Sequence, residues 1–465
     1  MLRLIASKDL REFIRDGRLP WAGGLVVLLL VTAAAVGWFQ QTAVQAERSA
    51  GQALDYQAWL NQGARHPHTA ADQGMNVFKP EPPLAVFDTG VQPYVGSTIW
   101  LQSHSQGEVK FRPAQDATGL QRFGALTPAW VLQVLAPLLI IILGFNAFAS
   151  EREGGTLRQL LSMGVPTRRL LWGKALALAA SVTLLLLPGA LLVGGLAVAS
   201  APAGAAVDII VRLAALGLGY GLYLSAAIFL VLAVSAICRT SRVALFSLLA
   251  IWIVGVLIAP KGISDLAVAL HPTPSRIDFA KAVRDEENAT SREVWLKNFG
   301  VETRWDPRVP LSKWGIALRV TDHNGYRVYD RQFGALWDTF ERQQRFQEWA
   351  GLAAPVIAVR SLSMALSGTD FSQHRDFSKA AERQRRIIQE VVSDDLIKNA
   401  DPLGNRHFSY RANPSLWAKV PEFQYPLPRI GFALARHWPS VAVLAATFLL
   451  SVALALAVVS RRLSV

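Results

Sequence analysis

The chain has 465 residues, of which 52% are hydrophobic and 17% charged. An average soluble domain carries about 25% charged residues, so this composition excludes an ordinary soluble protein. The formal charge of +13 does not indicate a nucleic-acid partner, because the cations are spread over several loops with no basic run interleaved with aromatics. A lone cysteine, Cys238, excludes an intrachain disulfide, so any part outside the membrane must hold together by packing.

A membrane span needs about 20 apolar residues. Six stretches qualify: 21–39, 130–148, 176–198, 209–237, 243–259 and 441–459. The chain is therefore predicted to be mainly α, a polytopic membrane protein. In the leader, 1–20, Leu2, Ile5, Leu10, Phe13 and Ile14 share one helical face, and Lys8, Arg11, Arg15 and Arg18 lie elsewhere. That pattern predicts an amphipathic elbow helix lying along the inner surface. Its acids Asp9, Glu12 and Asp16 argue against a cleaved signal ending near Val44-Gln45-Ala46.

Basic residues in short loops mark the cytoplasmic side. They fall in the leader (Arg3, Lys8, Arg11, Arg15, Arg18), in the 149–175 connection (Arg152, Arg158, Arg168, Arg169, Lys174), at Arg239 and Arg242, and at Arg461 and Arg462 in the tail 460–465. The connection 199–207 has none. The reading is a multi-pass protein of a bacterial inner membrane with both termini cytoplasmic. Two long insertions, 40–129 and 260–440, then lie outside; loops of that length translocate largely regardless of charge.

The first insertion is turn-rich at Glu81-Pro82-Pro83 and from Gly90 to Gly96. Short strands are predicted over 97–101 and 108–111. His66-Pro67-His68 has no Cys or acid cluster beside it and reads as an ordinary surface loop, not a metal site. The second insertion reads as helical over 276–297, 326–349 and 376–396. Phe333, Trp337, Phe340 and Phe346 are taken as core packing, as is the stripe Phe377, Ala380, Ile387, Ile388, Val391 and Val392. The apolar stretch 354–367 is too short to span, and either packs as a core helix or lies on the outer leaflet.

No enzyme chemistry is legible. Gly173-Lys174 is followed by Ala175 with no glycine five residues before Gly173, so there is no phosphate-binding loop. Zinc-protease and nucleophile-elbow signatures are absent from the sequence. The chain is expected to hold no catalytic residue, cofactor or metal of its own. Within the spans, Gln133, Asn146 and Arg212 are polar and should face protein or a water-filled path, with Arg212 snorkelling near a span end. Gly217 and Gly221 suit close helix approach, and Pro137 and Pro188 suit kinks.

The 149–175 connection is the most informative stretch. Gly154 and Gly155 permit a sharp turn. Thr156 to Ser162 can form a short helix with Leu157, Leu160 and Leu161 on one side and Arg158 and Gln159 on the other. Gly164-Val165-Pro166 ends it, and Arg168, Arg169 and Lys174 are read as headgroup anchors. The residues alone leave two readings open: an element that transmits a partner's push, or a plain interfacial connector.

Glu151-x-Glu153-x-Gly155-Thr156-Leu157-x-x-Leu160-Leu161-Ser162, followed by Pro166-Thr167-Arg168-Arg169 and Gly173-Lys174, resembles the first cytoplasmic loop of type 2 ABC exporter permeases. The resemblance implies a six-span exporter arrangement in which this loop is a coupling helix seated in a cleft of a separate ATPase subunit. It assigns ATPase coupling to Glu151, Glu153, Gly155, Thr156, Leu157, Leu160, Leu161, Pro166, Arg168 and Arg169. It further implies an ATPase dimer that binds ATP and Mg, a second permease subunit and membrane lipid around the spans; the size of the insertions leaves room for a periplasmic partner as well. Passages such as Ala85-Val86-Phe87-Asp88-Thr89-Gly90 and Ser367-Gly368-Thr369-Asp370 resemble a branch of these permeases with large extracytoplasmic segments. That branch names no cargo. The competing functions are a mechanotransmission subunit, whose usual form has four spans, and a membrane scaffold unrelated to ABC transporters.

Overall fold

The computed structural model describes residues 1–103, 105–107, 109–110, 112 and 126–462. Six helices are long and apolar enough to cross a membrane: Leu19–Leu60, Pro128–Glu153, Thr167–Ala199, Ala206–Ile237, Ser241–Leu270 and Ile430–Arg462. They are numbered here as the first to sixth spans. The protein is a mainly α, polytopic membrane protein. An even number of crossings puts both termini on one face, the terminal face; the mass beyond the other face is the distal unit.

The second and fourth spans are the most enclosed. Leu139, Ile140 and Leu143 of the second meet Val231, Leu232 and Ala236 of the fourth in one continuous apolar core. The fifth span is the opposite case. Phe246, Val254, Leu257 and Ile258 are exposed along it, as apolar side chains are when they face lipid or another subunit. Pro137 follows a widened turn at Val131–Leu135. The third span keeps one helix through Pro188.

Several spans continue into the distal unit without a break. Residues 21–39 lie in a helix that runs on, as Gly24–Leu60, for 37 residues. At 1.5 Å per residue that is about 55 Å, against a hydrocarbon core of about 30 Å. The fifth span widens at Ile253–Ile258 and continues to Leu270. The sixth starts at Ile430 and bends at His437, where φ is −107°, two residues before Pro439.

The distal unit is one body made from both insertions. Strands β1 (Met75–Phe78), β2 (Thr98–Leu101) and β3 (Val109–Lys110) form an antiparallel sheet in the order β1-β2-β3, with Asn76 opposite Trp100 and Ile99 opposite Val109. Glu108 and Phe111, at the ends of the second expected strand, lie outside the described residues. β1 escaped the sequence reading, since a run of four residues gives little periodicity. The core joins Trp59, Val77 and Leu101 of the first insertion to Phe377, Ile388 and Trp417 of the second. Trp59 Nε1 donates to the Trp417 carbonyl at 3.0 Å, and Trp417 Nε1 to that of Gly63 at 2.9 Å.

One open alternative is decided here and three expectations need correction. Helix Pro355–Ser367 packs as a core helix, with Val356, Val359, Leu362 and Leu366 buried among the spans. Ile387 is exposed, so the charged helix Phe371–Asp395 buries a narrower stripe than expected. His66 is buried, with its ring 5.4 Å from that of His407, and does not sit in a surface loop. Phe333, Trp337, Phe340 and Phe346 on helix Trp314–Ala350 are not core residues; each is half-exposed.

Candidate functional site

The terminal-face connection is built as a clamped lever. The second span ends where the Phe148 and Ala149 amides donate to Ser235 Oγ at 3.0 and 3.3 Å. Arg152 then caps the fourth span, donating to the carbonyls of Cys238 at 2.5 Å and Ala236 at 2.9 Å, which suits a cation at a helix C-terminus. Glu153 accepts from Ser241 Oγ at 2.6 Å. Phe148, Ala149, Arg152 and Glu153 thus fasten one end of the connection to the fourth and fifth spans.

Glu151 is the centre of a buried ion cluster. Its Oε1 lies 2.8 Å from Lys174 Nζ and 3.4 Å from Lys8 Nζ. Lys174 is also 3.5 Å from Asp9. The side chain of Lys174 is only 3% exposed, so the headgroup anchor expected of it is corrected: the cation points inward to two carboxylates. Lys8 and Asp9 belong to the leader helix Leu2–Arg15. That helix does not simply lie on the surface. It leans on the third span, where Gly173 leaves room for Ile5; a Cβ at Gly173 would sit 2.7 Å from Ile5 Cγ2. Phe13 is buried, while Leu2, Leu4 and Ile14 stay exposed.

Beyond the clamp, Gly155 adopts φ +72°, a left-handed conformation natural to glycine, and turns the chain into helix Thr156–Ser162. Thr156 Oγ1 donates back to the Glu151 carbonyl at 3.2 Å. Leu157 is buried, and Leu160 and Leu161 are half-buried against the span core. Arg158, Gln159, Ser162 and Met163 are exposed. Gly164 closes the helix at φ +76°, Pro166 starts the third span, and Arg168 and Arg169 are exposed on its first turn. The connection therefore presents one polar ridge to solvent and holds its apolar side on the spans.

The other polar span residues fall into two separate places. Asn146 Oδ1 accepts from Arg18 Nη1 at 2.9 Å, beside the ion cluster. Gln133 lies at the distal junction: its Nε2 donates to Tyr220 Oη at 2.9 Å, and Tyr223 Oη donates to its carbonyl at 2.8 Å. Tyr220 Oη donates to Ser363 Oγ at 3.0 Å, which donates to Asp88 at 2.5 Å. Burial raises the Asp88 carboxyl above its ordinary range, against the pull of the Ser363 bond. Asp88 and Asp370 come from the two quoted passages, which meet: the Val91 amide donates to the Thr369 carbonyl at 3.0 Å, and a Cβ on Gly90 would lie 2.5 Å from Thr369 Oγ1.

Arg212 does not snorkel. Its side chain is buried, bonded to Asp208 at 2.6 Å, to the Leu366 carbonyl at 2.8 Å and to the Pro428 carbonyl at 2.6 Å. It caps helix Pro355–Ser367 and holds the approach to the sixth span. Gly217 and Gly221 approach no helix among the described residues, with nothing within 4 Å of a Cβ at either position; Gly219, between them, is the glycine that packs, on Leu362.

Sequence reasoning missed the largest network at this junction. His437 is fully buried, with Nδ1 2.7 Å from Glu348 and Nε2 2.9 Å from Asp370; Ser361 Oγ donates to Glu348 at 2.8 Å. Burial alone would raise Asp370, but the His437 bond and charge hold it below the ordinary carboxylate range. A histidine placed two residues before a proline at the end of an apolar run was the only available signal.

Six spans, a leader helix docked on them and a clamped connection on the terminal face define a polytopic membrane protein whose terminal-face connection is held by buried polar contacts. The sequence matches the ABC-2 family transporter proteins over residues 3–282, more than half of the chain, and the chain belongs to that family. Residues 275–426 match a domain of unknown function, DUF3526, which covers most of the second insertion. No curated protein sequence matches the chain. The protein is thus a membrane permease subunit of an ABC transporter, a transport subunit and not itself an enzyme.

Proposed function

We propose that this permease couples ATP hydrolysis on a separate ABC ATPase dimer to export of a substrate across the inner membrane, with helix Thr156–Ser162 as the coupling element. The observation that carries the reading is the clamped lever: Leu157, Leu160 and Leu161 rest on the spans, the Glu151–Lys174–Asp9 cluster fixes the rear, and Arg158, Gln159, Ser162 and Met163 face outward. A push on that ridge would reach the second, third and fourth spans through Glu151, Lys174 and Arg152. ATP and Mg bind the ATPase, whose closed state ATP favours by differential affinity. Both termini are cytoplasmic in this reading and the distal unit is extracytoplasmic. A second permease subunit covers the fifth span and the Gly217–Gly221 face, which are open in the isolated chain.

A mechanotransmission role is the second reading. The continuous first-span helix and the His437–Asp370–Glu348 network favour it, because any tilt of the first or sixth span would move the distal unit.

The test is co-purification of the permease with its ATPase after Arg158→Glu together with Met163→Glu. Both side chains are exposed, so the unfolding temperature should hold while retained ATPase falls at least tenfold. Wild-type retention and unchanged ATP turnover would reject the coupling role. For orientation, maleimide should reach Ala58→Cys and Glu293→Cys from outside intact cells and Arg158→Cys only from inside; the reverse pattern inverts the topology.

A further inference from the structure

We propose that the distal unit contains a binding cavity for an amphipathic molecule, whose apolar body lies on an aromatic wall and whose head hydrogen-bonds at His374. The cavity has a volume of about 600 Å³, inside the range of roughly 300–1,000 Å³ typical of small-molecule sites. It opens between helices Arg276–Phe299, Trp314–Ala350 and Phe371–Asp395.

The wall consists of rings that pack on each other and still face open space. Phe279 stands edge-on to Phe333 at 5.1 Å, Phe333 lies 5.8 Å from Trp337, and Phe340 stands edge-on to Phe371 at 5.2 Å. The distal unit has a complete core elsewhere, around Trp59, Phe377 and Trp417, so these rings are not needed to close it. Contiguous accessible apolar surface of this kind marks a place that binds something.

The polar end is His374, which is 7% exposed. Its Nδ1 has no hydrogen-bond partner among the described residues, although a buried polar atom left unpaired costs about 1–3 kcal/mol. Burial, with the nearby Lys79 cation second, pushes its imidazole down to about 3, so the ring is neutral and offers one donor and one acceptor. Of the charges that act on it, Asp370 is engaged by His437 at 2.9 Å, Lys79 does not line the cavity, and Arg112 does, bringing a cation to the polar end. The neutral ring, with a cation beside it, favours a head that carries a hydroxyl or amide oxygen.

The route of entry is legible too. Thr273 and Pro274 line the cavity and directly follow the fifth span, which ends at Leu270. Gln343, also on the lining, donates to the His271 carbonyl at 2.6 Å. The fifth span is the one with the most exposed apolar surface, so the cavity mouth sits where that surface leaves the bilayer. A lipid-like molecule could pass from one to the other without crossing water.

The experiment uses the full chain in nanodiscs with no ATPase present, so its outcome is independent of the coupling reading. A monoacylglycerol carrying a diazirine in its acyl chain is photolysed and the labelled peptides are mapped by mass spectrometry. Labels are expected in peptides containing Phe333 to Phe340 and Phe371 to His374, and excess unlabelled monoacylglycerol should compete them away. Trp337→Ala should reduce this labelling at least fivefold, and His374→Phe should weaken competition about tenfold. Leu336→Trp, which fills the cavity and removes no contact, should abolish labelling at an unchanged unfolding temperature. Labels confined to the spans, or wall labels that survive both Trp337→Ala and Leu336→Trp, would overturn the proposal.

Discussion

Glu151 shows how one side chain can matter more by its loss than by its presence. A buried ion pair adds little net stability, but stranding one member costs about 3–5 kcal/mol. Lys174 is almost fully enclosed, and its other partner, Asp9, is 3.5 Å away. Glu151→Gln should therefore lower stability by about 3 kcal/mol, read as a drop in unfolding temperature in detergent. Glu151→Leu combined with Lys174→Met should recover most of that loss, since Asp9 keeps Lys8 at 3.5 Å and no member of the cluster is then left alone. Equal destabilisation by the single and double variants would show that Glu151 acts through shape and not charge. Arg212 obeys the same rule from the other side: its planar fork serves three acceptors at once, which a lysine cannot reproduce.

Helices and their contacts come next. The leader is amphipathic in sequence, and amphipathic helices can lie on lipid or on protein. Gly173 decides in favour of protein, because only a residue without a side chain lets Ile5 approach the third span so closely. Gly173→Val should detach the leader, seen as faster hydrogen exchange over residues 2–15 with little change in the sixth span. Gly217→Val, with open space around it, should leave the isolated chain's exchange unchanged. Slow exchange persisting in the leader of Gly173→Val would mean that the ion cluster alone holds it. Aromatic spacing gave the opposite lesson. Phe333, Trp337 and Phe340 have the periodicity of a core face, yet they line a cavity, because periodicity reports a common face and not what covers it.

At the scale of the molecule, the distal unit should be acid-sensitive. His66 and His374 are held neutral in the fold, at about 4 and about 3 respectively, chiefly by burial. In the unfolded chain each takes a proton near 6.5. Between those values the unfolded state binds more protons, so stability rises with pH there. It is fully present above about 6.5 and is lost as pH falls toward the folded values. Hydrogen exchange, corrected for its intrinsic pH dependence, should show peptides around His66 and His374 opening more at pH 5 than at pH 7, with the second and fourth spans unaffected. No difference between the two would mean that water solvates these imidazoles.

Length and apolarity by themselves determined that the chain is a six-span membrane protein, because an uninterrupted apolar run has few other stable homes than lipid. The local spacing of 151–174 was equally readable, since Gly155, Gly164 and Pro166 set a turn, a helix and a stop by short-range backbone rules. Tertiary structure alone decided where the polar residues go. Lys174 and Arg212 read, in sequence, as side chains reaching for headgroups, and His437 carried no reading at all. Each is instead buried on partners 23 or more residues away, from Glu151 and Asp9 to Leu366, Pro428, Glu348 and Asp370, with Asp208 the one near neighbour of Arg212. Only the folded chain brings such partners together, and a buried charge is stable only where they converge.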